Sequence, residues 1–200
     1  MKLQRTIAPD WLLQNTDNWG NQYAKKRSDP KKSNDFQWVT YKKQKVNLLL
    51  LPVLNAMTQN HCAFCDSAPL VSIGAQIEHF EPVSIAPHKA YLWENLFYCC
   101  QNCNAHKHDT FDDLLLKPDE SYYDFSNYFI FNFLTGELNP NPHQTLWEQA
   151  RALKTIELYG LNEYERPFIR LRELKRYRNS IDKSDIDDFQ FRFIFEFETP

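Results

Sequence analysis

Four cysteines stand in two Cys-x-x-Cys knuckles, Cys62/Cys65 and Cys100/Cys103. A thiolate pair spaced this way grips one soft, tetrahedral cation, and two such pairs complete a four-cysteine site for Zn2+. Residues 66 to 99 lie between them, 34 in all, more than a minimal zinc ribbon needs. The insert must therefore form structure of its own, with the zinc as its staple. Within it or at its closing knuckle fall Glu78-His79-Phe80, Trp93-x-Asn95-Leu96 and Cys103-Asn104-x-x-Lys107. Glu78 and Asn104 offer the hard oxygen donors that Mg2+ or Mn2+ prefers. His79 adds an imidazole able to exchange a proton near neutral pH.

This order of elements over residues 61–108 resembles the HNH, or ββα-metal, endonucleases that carry a four-cysteine zinc. It looks most similar to the HNH subunit of Septu and of certain retron anti-phage systems, which works with an ATPase partner. Looser likeness extends to Pro9-x-x-Leu12, Leu115-Leu116-x-Pro118-Asp119 and Thr155-Ile156-x-x-Tyr159-Gly160-Leu161-Asn162. The resemblance implies metal-dependent hydrolysis of DNA or RNA. Glu78 becomes a ligand of the catalytic ion, where many relatives have Asp, and His79 the general base. Asn95 clamps the backbone of the loop that carries His79. Asn104 is the second ligand, where other members have His, and Lys107 contacts phosphate or supports the fold. Without cleavage, the same frame would be a zinc-stabilised module that binds nucleic acid or protein.

The elements that must position these groups are expected as follows. A helical region, 1–60, precedes the core at 61–110, and an elaboration of hairpin, helices and a Phe-rich strand covers 111–200. The whole is an α+β fold. Hydrophobic residues at 42% and aromatics at 15% suffice for a core. Spacing of Phe36, Val39, Lys43, Val46 and Leu50 predicts a helix over 36–59, broken or restarted at Pro52, with Lys42, Lys43 and Lys45 on its basic face. Within the insert, 70–76 and 77–80 are expected to be the two strands, 91–97 leads back, and a helix starts near Cys103. A hairpin is expected over 128–138 and a helix over 144–159, after which Asn162 caps the next element.

That element carries Arg166, Arg170, Arg172, Lys175, Arg176 and Arg178 against Glu165 and Glu173, six cations to two anions, in a chain whose net charge is −3. Given a nuclease core it is expected to bind the nucleic-acid backbone, with Arg170, Arg172 and Arg176 on phosphates. A second basic patch, Lys25-Lys26-Arg27 with Lys31-Lys32, is a solvated loop or a phosphate or partner contact. Phe189, Phe191, Phe193, Phe195 and Phe197 alternate as one face of a strand, which packs on the core or joins a partner's sheet. Cys99 is expected to be a buried spare. His61 is a neighbour of the zinc ligands, and His106 and His108 are exposed polar residues or phosphate contacts. No membrane span or apolar leader is visible, which points to the cytoplasm.

Overall fold

A computed structural model describes residues 2–31, 35–68 and 74–198 of the chain. Two helices open it, α1 (Asp10–Leu13) and α2 (Thr16–Arg27). The last turn of α2 holds Lys25, Lys26 and Arg27, where cations suit the negative end of the helix dipole. Gly20 lets α2 lie directly on the 87–89 turn, since a Cβ there would stand 2.3 Å from the His88 carbonyl oxygen.

The next segment departs from the predicted helix. Residues 36–39 are irregular, and a small hairpin follows, β1 (Thr40–Tyr41) against β2 (Gln44–Lys45). Its two turn residues, Lys42 (φ 45°) and Lys43 (φ 68°), adopt left-handed backbone. A two-residue turn of this hand matches the twist of the strands it joins. Only α3 (Val46–Thr58) is helical, with Val46, Leu50, Leu54 and Thr58 buried four residues apart. Pro52 lies inside α3 without ending it.

The central unit is two strands and a helix. β3 (Ala75–His79) runs antiparallel to β4 (Leu96–Cys100), with His79 opposite Leu96 and Ala75 opposite Cys100. α4 (Gln101–Lys107) leaves directly from β4. The strand pairing expected between 70–76 and 77–80 is corrected: one strand spans 75–79, its partner is 96–100, and residues 70–73 lie outside the described ones. The intervening loop contains Pro82 and Pro87 and two short 3-10 turns, Pro87–Lys89 and Trp93–Asn95. A proline carries no N–H for a sheet ladder, which keeps this stretch out of the pairing.

A short helix, α5 (Phe125–Tyr128), leads into the hairpin of β5 (Phe129–Phe131) and β6 (Leu138–Pro140). α6 (Leu146–Leu158) starts with a capping box, Thr145 and Glu148 exchanging side-chain and backbone hydrogen bonds. α7 (Arg166–Asn179) follows. Asn162 does not cap it: its amide bridges back to Leu138, accepting from the N–H at 2.9 Å and donating to the C=O at 2.9 Å.

The expected Phe-rich strand is also corrected. Residues Arg192–Glu198 form 3-10 turns after a left-handed Phe191 (φ 57°). Phe189, Phe191, Phe193 and Phe195 are buried, but so are Arg192 and Ile194, so burial does not alternate along the segment. Phe193 stacks on Phe125 at 4.0 Å and Phe195 on Tyr177 at 3.9 Å. Phe191 N–H donates to the Asp66 carbonyl, and Arg192 is forked on the Asp66 carboxylate. The segment is consumed by the protein's own core and is not available to a partner's sheet. Among the described residues no helix is long and apolar enough to cross a membrane.

Candidate active site

The four-cysteine cluster is assembled from two separate parts of the chain. The first knuckle follows α3, and Ala63 N–H donates to the Tyr98 carbonyl, which holds it against β4. The second sits where β4 turns into α4, so strand and helix leave the same knot. The sulfurs of Cys62, Cys65, Cys100 and Cys103 lie within 4.8 Å of one another and all four residues are buried. Tetrahedral Zn–S bonds of about 2.3 Å require sulfurs roughly 3.8 Å apart. Cys65 and Cys100 stand at 3.7 Å, and the four together could hold a zinc ion. Cys99 is buried beside them, and its thiol donates to the Cys100 carbonyl at 3.3 Å.

One group at this knot was not foreseen. Arg166, expected on a helix that binds the nucleic-acid backbone, is 4% exposed and directs its guanidinium to Cys103 Sγ at 3.2 Å and Cys100 Sγ at 3.8 Å. It also donates to the carbonyls of Tyr159 and Gly160. Burial works against its charge, but the surrounding thiolates, Cys103 foremost, more than offset that and hold it cationic. Four thiolates on one Zn2+ leave a net charge of about −2, and Arg166 offsets part of it.

On the far side of α4, Glu78, His79 and Asn104 line one cleft of about 160 Å³ with Pro82, Val83, Ala105, His108 and Asp109. The order of β3 places Glu78 and His79 on opposite faces of the strand end, and α4 brings Asn104 across to them. His79 is pinned through Nε2, 2.9 Å from the Ala90 carbonyl oxygen. A carbonyl only accepts, so Nε2 carries the proton and Nδ1 keeps the lone pair. Trp38 stacks on the imidazole at 5.3 Å and 18°, and Phe36 meets it edge-on at 5.0 Å. Burial pulls the His79 pKa down to about 4, against the Ala90 hydrogen bond, and the nearby Lys107 charge adds to the depression. The ring is therefore neutral at physiological pH.

Asn95 ties the loop that follows His79. Its Oδ1 accepts from Glu81 N–H at 2.8 Å, and its Nδ2 donates to the carbonyls of Glu81 (3.0 Å) and Lys89 (3.2 Å). The Lys89 bond matters because the next residue, Ala90, supplies the oxygen that orients His79. Glu81 and Lys89 add an ion pair at 2.5 Å across the same loop.

Lys107 is corrected as a phosphate contact. It is 0% exposed, pairs with Glu78 Oε1 at 2.5 Å and donates to the His79 carbonyl at 3.1 Å. It props the strand end from beneath. Burial pushes Glu78 up to about 7, with Lys107 opposing the rise. The Asn104 amide donates to Gln76 Oε1, which leaves Asn104 Oδ1 as its remaining donor atom toward an ion. Glu78, Asn104, Asp109 and His108 thus give the cleft two carboxylates, an amide oxygen and an imidazole. That set suits a hard divalent ion with positions to spare for phosphate and water.

Sequence alone did not single out Asp109, and it set His108 aside as an exposed polar residue; both line the cleft. The signal for His108 was its spacing from Asn104, four residues and one helical turn. His108 has φ 48°, a left-handed backbone that ends α4 at the rim. His106 points elsewhere, against Tyr164 and the Leu158 carbonyl. His61 is spent on the carbonyls of Gln59 and Phe189 rather than on the zinc sulfurs.

The three arginines assigned to phosphate on α7 divide. Arg170 is wholly buried, donating to the carbonyls of Gly136 (3.0 Å) and Leu161 and to Asn162 Oδ1 (3.1 Å), so it cannot reach nucleic acid. Burial pulls its pKa down to about 9. Arg172 is exposed over Phe168, and Arg176 is exposed but paired with Glu173 at 2.8 Å.

Compared with known proteins, residues 62–110 match the family model for HNH endonuclease. The knuckles, both strands of the central unit and α4 all fall inside that match, which makes this segment an HNH domain. No curated protein matches the chain.

Proposed function

We propose that the chain is a metal-dependent nuclease that hydrolyses phosphodiester bonds in DNA or RNA. The observation that carries this is the fixed imidazole: His79 is held through Nε2 on Ala90, neutral, in the same cleft as Glu78 and Asn104. Nδ1 takes a proton from the attacking water, and Asn95 keeps the loop and hence the ring in place. Glu78 and Asn104 hold Mg2+ or Mn2+, with Asp109 and His108 at the rim of the same cleft. Such an ion, when bound, polarises the phosphate and steadies the leaving oxygen. The zinc on the four cysteines remains structural.

His79→Ala should keep zinc and nucleic-acid binding but cut at least about a hundredfold more slowly, the scale of losing a positioned base. Equal rates for wild type and variant would remove His79 from the mechanism. Because its pKa is depressed to about 4, His79 stays unprotonated as pH falls through 6.5, the ordinary histidine value. Its ring resonances should therefore titrate near pH 4, and cleavage should show no acid limb at pH 6.5 from this group.

The wider role proposed is that of effector nuclease in a bacterial anti-phage system, acting in the cytoplasm with an ATPase partner. What supports it is the order of motifs from Cys62 to Lys107 together with the flanking Pro9, Leu115 and Tyr159 segments. Co-purification of an ATPase from the native host, with nucleotide added, tests it. One observation favours a second reading, a non-catalytic binding module: Glu78 is already paired with Lys107 and Asn104 with Gln76. Mn2+ titration separates the two, since a module without an ion site binds none beyond the zinc.

A further inference from the structure

The hairpin that replaced half of the expected helix stands next to His79. Trp38 stacks on that ring, and the Trp38 carbonyl accepts from Lys45 Nζ at 2.9 Å. Trp38 also lines a groove of about 250 Å³ with Asn47, Leu51, Gln76 and Asn104. Asn104 lines both this groove and the cleft, so the two are neighbours on either side of one residue.

Residues 36–47 carry Lys42, Lys43 and Lys45 and no carboxylate. All three lysines are exposed, and among the described residues none lies in an ion pair. Their platform is firmly seated. Tyr41 stacks on Trp11 at 5.6 Å, Val46 N–H donates to the Val39 carbonyl, and Val39 N–H donates to the Tyr91 hydroxyl.

The turn itself is the telling part. Left-handed backbone at both central residues is the province of Asn-Gly or Gly-Gly, which adopt it without a side-chain clash. Lysine at both positions is an unfavourable choice for the fold. An unfavourable backbone choice of this kind points to a function for the side chains at the tip. Two cations at the tip, with Lys45 bonded to the carbonyl of the groove residue Trp38, match a phosphodiester backbone in charge.

We propose that the β1–β2 hairpin is the strand guide of this protein: Lys42, Lys43 and Lys45 hold backbone phosphates of a nucleic acid whose chain runs along the Trp38–Gln76–Asn104 groove into the cleft. This rests on the nuclease reading, and deepens it by placing the substrate's path. It moves the main phosphate contacts from α7 to the opposite end of the sequence.

The test is a turn exchange, Lys42→Asn/Lys43→Gly, which supplies residues suited to the backbone while removing the charges. Binding of a short duplex, its single strand and the matching RNA is read by fluorescence anisotropy across a salt series, without added Mg2+ or Mn2+. The melting temperature of the variant should equal or exceed that of wild type, so lost binding cannot be ascribed to lost fold. Affinity should fall tenfold or more at about 0.1 M salt, and the salt slope on duplex should drop by about 1.8, or 0.9 for each of two phosphates. A wild-type slope in a well-folded variant overturns the hairpin's role while leaving the nuclease reading standing. Wild-type protein that binds none of the three nucleic acids overturns both, and a partner captured through this hairpin in their place would make it a protein-docking surface.

Discussion

Helix α7 and the β1–β2 hairpin are both basic, and they dispose of their cations in opposite ways. α7 concentrates arginine, yet Arg166 and Arg170 turn inward, Arg176 is paired with Glu173 and Arg178 with Glu198. The hairpin holds three lysines on what was expected to be a helix face, and all three remain exposed without a carboxylate partner among the described residues. The lesson is that charge density along a chain does not measure the charge offered to a ligand. A guanidinium has five donors in a rigid fork and can be spent on carbonyls and thiolates inside a protein. The hairpin lysines make lighter contacts, Lys42 over the Tyr41 ring at 5.4 Å and Lys45 on the Trp38 carbonyl at 2.9 Å, and an ammonium so placed keeps donors for solvent or a ligand.

The sharpest way to break this contrast is at Arg170. Arg170→Met leaves the Gly136 and Leu161 carbonyls and Asn162 Oδ1 without their donor in a buried site. A loss of about 3 kcal/mol or more in denaturant unfolding is expected, with the salt dependence of nucleic-acid binding unchanged. A weakened salt slope with full stability would return Arg170 to the substrate.

Arg166 gives the next effect in size. Arg166→Met removes the cation 3.2 Å from Cys103 Sγ, and zinc affinity should fall roughly ten- to a hundredfold, the usual cost of losing an outer partner of a metal ligand. Competition against a chromophoric chelator measures it. Zinc held as tightly as in wild type would mean the guanidinium serves the Tyr159 and Gly160 carbonyls alone.

The smallest effect is expected from the outward residues of the same helix. Arg172→Gln with Lys175→Gln should change stability by no more than about 0.5 kcal/mol. Nucleic-acid affinity should fall less than in the hairpin exchange. A larger fall would show that α7 shares the substrate after all.

The site was legible where it depends on local spacing. The Cys-x-x-Cys pairs, Glu78-His79 and the helix-borne Asn104 stand out by residue type and spacing, and the fold gathers the cysteines into one cluster and the other three around one cleft. Other features depend on what packs against them. Nothing in the sequence marks Lys42-Lys43 as a turn, since neither residue favours the left-handed backbone that both adopt. The alternation of Phe189 to Phe197 imitates a half-buried strand, but Arg192 and Ile194 are buried too, the former by the Asp66 carboxylate far away in the chain. Lys107 could be assigned to phosphate only until its partner Glu78, on another element, was seen to lie 2.5 Å away.

The Asp66–Arg192 fork joins residues 126 apart, whereas the two zinc knuckles enclose only the stretch from 62 to 103. In closure entropy the longer loop costs only about 1 kcal/mol more. In rate the difference is greater, because distant contacts form only after a wider conformational search. The stapled segment can therefore reach its native arrangement while residues 189–195 are still searching for theirs. Phe189, Phe191, Phe193 and Phe195 are covered only in the folded chain, and their apolar surface is what an unseated tail would offer to aggregation.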